Sequence, residues 1–203
     1  LENSNIKLNN SDSANFIYRL GLYTLNDAIS VYTYLHFSYK NRFYFYLYPR
    51  IVSDTEAFTR YSGLPRPRKR FGFNSGEVDI SGIGYENDWM VVQFGRGRQV
   101  WAAGSDLGLV LDENSPSYDH LLMGAKLGRF RSKFFHGFLE RTQSVNRYIS
   151  GRGLEWSNDS SLIFSLSEIS IYSGVDRPFD ISYLNPMTSH LEIELNGRAN
   201  KLD

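Results

Sequence analysis

The 203-residue sequence contains no cysteine, which excludes disulfides, thiolate metal sites and cysteine nucleophiles together. It has no apolar run of the ~18 residues that a transmembrane helix needs; barrel strands alternate and would escape that search. It has no charge excess either. Lys+Arg and Asp+Glu both number 22, so the basic face of a nucleic-acid binder is missing and no nucleic-acid partner is expected. Gly95-Arg96-Gly97 lacks the third glycine and the Lys-Ser/Thr of a phosphate loop, and no serine sits in a G-x-S-x-G elbow. The four histidines (His36, His120, His136 and His190) are scattered without an i, i+4 partner. No metal and no cofactor are expected.

Aromatic residues are plentiful: 14 Tyr and 14 Phe. These favour β-structure and membrane-water interfaces. Alternation of period two recurs along the chain. Asn15 to Leu25 reads as a strand ending at an Asn26-Asp27 turn. Val31 to Tyr39 and Arg42 to Ile51 read as a hairpin across Lys40-Asn41, with Pro49 marking a strand end or bulge. Val78 to Tyr85 pairs with Trp89 to Phe94 across Glu86-Asn87-Asp88. His120 to Leu127 turns at Gly128-Arg129 into Phe130 to Phe138, and a moderate loop, Glu140 to Asn146, follows. Tyr148 to Trp156 pairs with Ser161 to Ile171 across Ser157 to Ser160. Ile169 and Ile171 are out of phase with Leu162, Phe164 and Leu166, which predicts a bulge near Ser167-Glu168. Asn185-Pro186, the spacing of Met187, Leu191 and Leu195, and Asn196-Gly197 predict a short helix from Pro186 to Leu195.

The fold class expected is all-β: an antiparallel up-and-down meander that forms part of an outer-membrane β-barrel, with a short C-terminal helix. Its connections alternate. Lys40-Asn41, Asn87-Asp88, Gly128-Arg129 and Asn158-Asp159 are tight, whereas Ser53 to Gly76, Gly97 to Ser117 and Glu140 to Asn146 are longer. In a meander all long loops then share one end, as in outer-membrane barrels. Residues 1–203 form one domain in this reading. The chain opens at Leu1 without an initiator Met or signal peptide and stops at Asp203 without punctuation, as a piece of a larger barrel would. Phe43, Phe45, Leu121, Met123, Phe130 and Phe134 would meet outer-membrane lipid. A soluble all-β carbohydrate-binding module is the alternative, with the same residues buried against a second sheet. His136, in phase with Phe134 and Phe138, and Arg96 and Arg98, in phase with Phe94, fit lipid exposure least well.

Two stretches stand out. Arg66, Arg68, Lys69 and Arg70 put four cations in five positions, read as a solvated loop ahead of an anion site. Trp89 to Pro116 holds a strand, then Gly95-Arg96-Gly97-Arg98, Trp101 and an apolar run from Leu107 to Leu111. Arg96, Arg98 and Trp101 could hold an acidic sugar, through guanidinium-carboxylate pairing and indole stacking. The reading preferred over that one is an interior ion-pair network of Arg96, Arg98, Glu155 and Glu168. Neighbouring strands could set Glu155 and Glu168 across one cleft as a glycosidase pair, but nothing supplies a distinct acid and base, and carboxylates near arginines on a barrel wall are ordinary. The Gly97 to Ser117 loop is expected to fold inward as a lid over the polar face of the strands.

Several motifs resemble the Wzi-type capsule assembly proteins of Gram-negative bacteria. They are Gly95 to Gly104 followed by Asp112-Glu113-Asn114-Ser115-Pro116, Arg152-Gly153-Leu154-Glu155-Trp156 opposite Leu166-Ser167-Glu168, and Tyr183-Leu184-Asn185-Pro186. Where that family has glycine and proline after its tryptophan, Ala102-Ala103 stand here. The resemblance spans Trp89 to Gly197. It implies a non-enzymatic outer-membrane barrel that holds surface polysaccharide, so the expected localisation is the cell outer membrane.

Overall fold

The computed structural model describes residues 14–58, 61, 63–100, 111, 115–158 and 161–185. It is all-β: β1 (Ala14–Leu25), β2 (Ala28–Tyr39), β3 (Phe43–Val52), β4 (Ser75–Glu86), β5 (Met90–Gly97), β6 (Tyr118–Leu127), β7 (Phe130–Thr142), β8 (Val145–Ser157) and β9 (Ile163–Val175), then a 3-10 turn, Ile181–Leu184. Each strand pairs antiparallel with its neighbours in sequence, giving one nine-stranded meander in the order β1 to β9. The sheet is not closed. The helix expected at Pro186 to Leu195 lies outside the described residues.

Local chemistry sets the turns. Asn26-Asp27, Lys40-Asn41 and Gln143-Ser144 each place two consecutive residues at positive φ. That is the two-residue geometry which matches strand twist and which Asn and Asp tolerate best. Gln143-Ser144 corrects the loop expected at Glu140 to Asn146. β7 and β8 continue to a tight turn, and a register shift between Phe138 and Glu140 breaks the alternation that would have revealed them. The predicted bulge at Pro49 is present, as a register shift between Tyr48 and Pro49. The bulge expected near Ser167-Glu168 is absent: β8 and β9 pair in unbroken register from Val145↔Val175 to Ser157↔Ile163. Ile169 is out of phase because it packs on the opposite face, against the Tyr118, Phe135 and Ile149 cluster.

The end that holds the turns before β3, β5, β7 and β9 has only short connections. The other end carries the two long ones, after β3 and β5, together with the segment after β9. It also carries the tight Asn26-Asp27 and Gln143-Ser144 turns, so length separates the ends only in part.

The two faces differ sharply. One bears Phe16, Leu20, Leu22, Phe43, Phe45, Ile83, Phe94, Leu127, Phe130, Leu154, Phe164 and Leu166, all exposed, with Ile83 and Phe94 at 63% and Leu166 at 72%. Register places these residues on one side, strand after strand. Phe134, on the same side, is buried. The residues after β9 fold back over this face near the long-loop end. Tyr183 stacks on Tyr172 at 4.0 Å, Phe179 meets His136 edge-on at 4.6 Å, and His136 Nε2 lies 2.8 Å from the Tyr172 hydroxyl. His136 is thus buried in an aromatic clasp on the apolar face, with a hydrogen-bond partner.

Candidate functional site

The opposite face carries tyrosine and glycine on β1 to β4 and, farther along the sheet, the buried cluster of Tyr118, Phe135 and Ile149. Tyr32, Tyr34, Tyr44, Tyr46 and Tyr48 alternate with other residues along β2 and β3, so they share one side. Their rings need room on the neighbouring strand, and glycine provides it. The rings of Tyr32, Tyr44 and Tyr46 fill the space that a Cβ would take on Gly21, Gly84 and Gly82. Phe135 does the same over Gly151. Gln93 of β5 links two of the rings: the Tyr44 hydroxyl donates to its Oε1 at 3.0 Å, and its Nε2 donates to the Tyr46 hydroxyl at 2.8 Å.

A charged cluster closes this face at the long-loop end. The bulge pairs Tyr48 with Ile80 and Pro49 with Val78, which leaves Asp79 as the extra residue of β4. Arg98 Nη2 donates to Asp79 Oδ1 at 2.6 Å, and its Nε donates to the Ser115 carbonyl at 2.7 Å. Arg50 Nε donates to Glu77 Oε1 at 2.5 Å, and Arg50 Nη2 lies 3.5 Å from Asp79 Oδ1. These four side chains retain only 7 to 15% of their exposure. The Arg50 guanidinium sits 5.1 Å above the Tyr61 ring. Burial holds the Tyr61 hydroxyl above the usual phenol range. Tyr34, Tyr48, Asp79, Ile80, Arg98 and Val100 line a recess of about 360 Å³ beside the cluster. Aromatic rings next to fixed donors and acceptors suit a polar ligand such as a sugar.

The sequence candidates fall in separate places. Arg96 stays on the apolar face near the end of β5, with Nη1 3.3 Å from Asp119 Oδ2. Arg98 lies beyond β5 and crosses to the polar face, which corrects the shared phase expected for the two arginines. Glu155 lies on the polar face, 3.3 Å from Arg131, and Glu168 on the apolar face, 3.5 Å from Arg152. The cause is register: Glu155 pairs with Ser165 and Arg152 with Glu168, so the two glutamates differ by an odd number of positions. The single network of Arg96, Arg98, Glu155 and Glu168 is therefore replaced by separate pairs. Two carboxylates on opposite faces cannot flank one glycosidic bond, so this pair does not form the glycosidase arrangement.

Trp101 and the run Leu107 to Val110 lie outside the described residues. Both described ends of their loop lie on the polar face. Gln99 Nε2 is 2.7 Å from His120 Nε2, Lys133 Nζ donates to the Val100 carbonyl at 3.4 Å, and Leu111 packs against the cluster around Phe135.

Asp79 and Glu77 were not singled out from the sequence, and Arg50 was expected only as a polar-face residue alongside Tyr44, Tyr46 and Tyr48. The available signal was Glu77-Val78-Asp79, two acids on one side of a strand that follows Arg50 through the Pro49 bulge. Among the described residues, no three acidic or histidine side chains converge as metal ligands would. Set against protein-family models, curated proteins and solved structures, the chain has no match.

Proposed function

We propose that this chain is part of an outer-membrane β-barrel that holds surface polysaccharide at the cell exterior, without enzymatic activity. The observation that carries the membrane reading is the apolar face, exposed along every strand of the nine-stranded meander except where the residues after β9 cover its long-loop end. In water each large side chain left exposed forgoes roughly 1.5–3 kcal/mol of burial, and a continuous patch invites association. Facing lipid, the same side chains cost nothing of the kind. The strands run 8 to 13 residues, close to the ~9–11 that a tilted spanning strand needs. Of the polar side chains on the apolar face, Arg152 and Glu168 pair midway along β8 and β9 and fit lipid contact least well, whereas two others fit it. Arg96 pairs with Asp119 near the strand ends, and His136 lies under the aromatic clasp.

A soluble module would need a second layer over Phe43, Phe45 and Phe130, all exposed here. The polysaccharide part of the reading is supported by the family resemblance and by the tyrosine-lined recess at the long-loop end. With Arg98 already engaged by Asp79 and Ser115, that recess suits a neutral sugar unit better than the acidic one expected for Arg98.

β1 and β9 run in the same direction, because both are odd members of an antiparallel meander. Pairing them directly would make a parallel ladder. An all-antiparallel barrel therefore closes only through an odd number of further strands. Expression behind a secretion signal, followed by alkaline carbonate extraction of membranes, tests the reading. Retention in the extracted membrane is expected, and a folded protein found free in the periplasm contradicts it.

A further inference from the structure

The long connection between β3 and β4 carries a feature that the barrel reading leaves unused. From Leu64 to Asn74 the chain forms an arm fixed at its base. Arg66 N donates to the Asn74 carbonyl at 2.7 Å, Asn74 N to the Val52 carbonyl at 3.0 Å, and Ser75 Oγ to the Leu64 carbonyl at 2.8 Å. Pro65 and Pro67 stiffen one side of it. At the tip Arg70 and Phe73 exchange both backbone hydrogen bonds, 2.8 and 3.0 Å, around Phe71-Gly72. Phe71 is 99% exposed, the fullest exposure of any large apolar side chain described. It also holds a φ of +51°, a region where a bulky side chain is disfavoured and where glycine or asparagine would serve better. Neither burial nor turn stability accounts for phenylalanine here.

Charge points the same way. Arg66, Arg68, Lys69 and Arg70 are all exposed, and no acidic residue occurs between Glu56 and Glu77. Among the described residues no carboxylate pairs with any of the four. Elsewhere in the chain arginines are answered by acids, as Arg50, Arg98 and Arg131 are. An aromatic ring presented at the apex of a rigid, unneutralised basic arm is the pairing that binds an anionic lipid surface: cations sit among phosphates while the ring enters the headgroup boundary.

We propose that the Leu64 to Asn74 arm is a lipid-anchoring finger, with Arg68, Lys69 and Arg70 contacting lipid phosphates and Phe71 inserting beside them. A lipid surface is favoured over an acidic polysaccharide because a fully exposed, strained phenylalanine adds nothing to a purely ionic contact.

The test uses the full chain with vesicles of phosphatidylcholine alone or with one third phosphatidylglycerol, with and without brominated acyl chains. In a Phe71→Trp variant, the emission gained over the unsubstituted chain is expected to shift to the blue and be quenched by bromine only when phosphatidylglycerol is present. Replacing Arg68, Lys69 and Arg70 together by Gln should weaken that anionic preference about 100-fold. Phe71→Gly, which suits the turn, should leave folding intact and remove the insertion. Emission of Trp at 71 that remains water-like in both vesicles overturns the proposal. So does capture of soluble polygalacturonate with no response to lipid. Carbonate extraction of the same vesicles separates the two readings. A chain released by carbonate but quenched beforehand keeps the finger and loses the barrel, and a carbonate-resistant chain with a water-like Trp at 71 does the reverse.

Discussion

Arg98 reaches across from the end of β5 to Asp79, the residue that the Tyr48/Pro49 bulge leaves over on β4, and bonds it at 2.6 Å. The same carboxylate lies 3.5 Å from Arg50. Asp79→Ala would leave two largely buried guanidinium groups facing each other across a gap. A loss of about 3–5 kcal/mol is expected, since removing one partner strands the other charge. Replacing Asp79 by Leu and Arg98 by Met together should recover most of it. Denaturant unfolding in detergent measures both, and an Asp79→Ala protein within ~1 kcal/mol of the parent would show the cluster to be solvated instead.

Phe135 lies over Gly151 on the facing strand, fully buried, with no space for another carbon. Gly151→Ala should cost about 1–3 kcal/mol by overpacking. Phe135→Leu in the same protein should return part of that loss. Thermal unfolding of the single and double variants reads the coupling, and additive effects would mean that the strands relax apart at no cost.

Tyr183 anchors the segment that follows β9, by stacking on Tyr172 and accepting through its carbonyl from Ser150 Oγ at 3.2 Å. Tyr183→Ala should loosen that segment before the sheet unfolds, because loss of a buried ring costs about 3–5 kcal/mol. Trypsin cleavage after Arg177 is the readout, with an increase of about 100-fold expected. Unchanged cleavage would show that Phe179 and Arg177 hold the segment without it.

Closure predicts a negative result that is easily checked, since the chain has no cysteine of its own. Single cysteines in β1 and β9, such as Leu20→Cys with Ser170→Cys, should not form a disulfide in the assembled barrel, because further strands separate these edges. Ready oxidation of such pairs would mean that β1 and β9 meet directly.

Period-two alternation made most of this sheet legible, because a half-buried strand writes its two faces into the sequence at every second residue. Lys40-Asn41, Asn26-Asp27 and the Pro49 bulge were legible for the same local reason: few residues accept those backbone states. The turn at Gln143-Ser144 was hidden by the slip after Phe138 and by polar strand ends joined through Glu140 and Arg147, 2.5 Å apart. The partners of Arg96 and Arg98 were not legible, because pairing depends on register between strands. Asp119 meets Arg96 only through the β5–β6 alignment, and Asp79 meets Arg98 only through a bulge one strand away. Glu155 and Glu168 appeared as a pair because they lie on adjacent strands, and a single odd offset puts them on opposite faces.

Spin labels on single cysteines test the orientation of the faces most directly. With the protein in phospholipid vesicles, labels at Leu20, Ile83, Phe94 and Leu166 are expected to relax with oxygen and to be shielded from a water-soluble nickel chelate. Labels at Tyr34 and Gln93 should show the opposite preference. Leu20, Ile83, Phe94 and Leu166 responding to the nickel chelate as surface sites do would contradict a lipid-facing apolar surface and, with it, the membrane barrel.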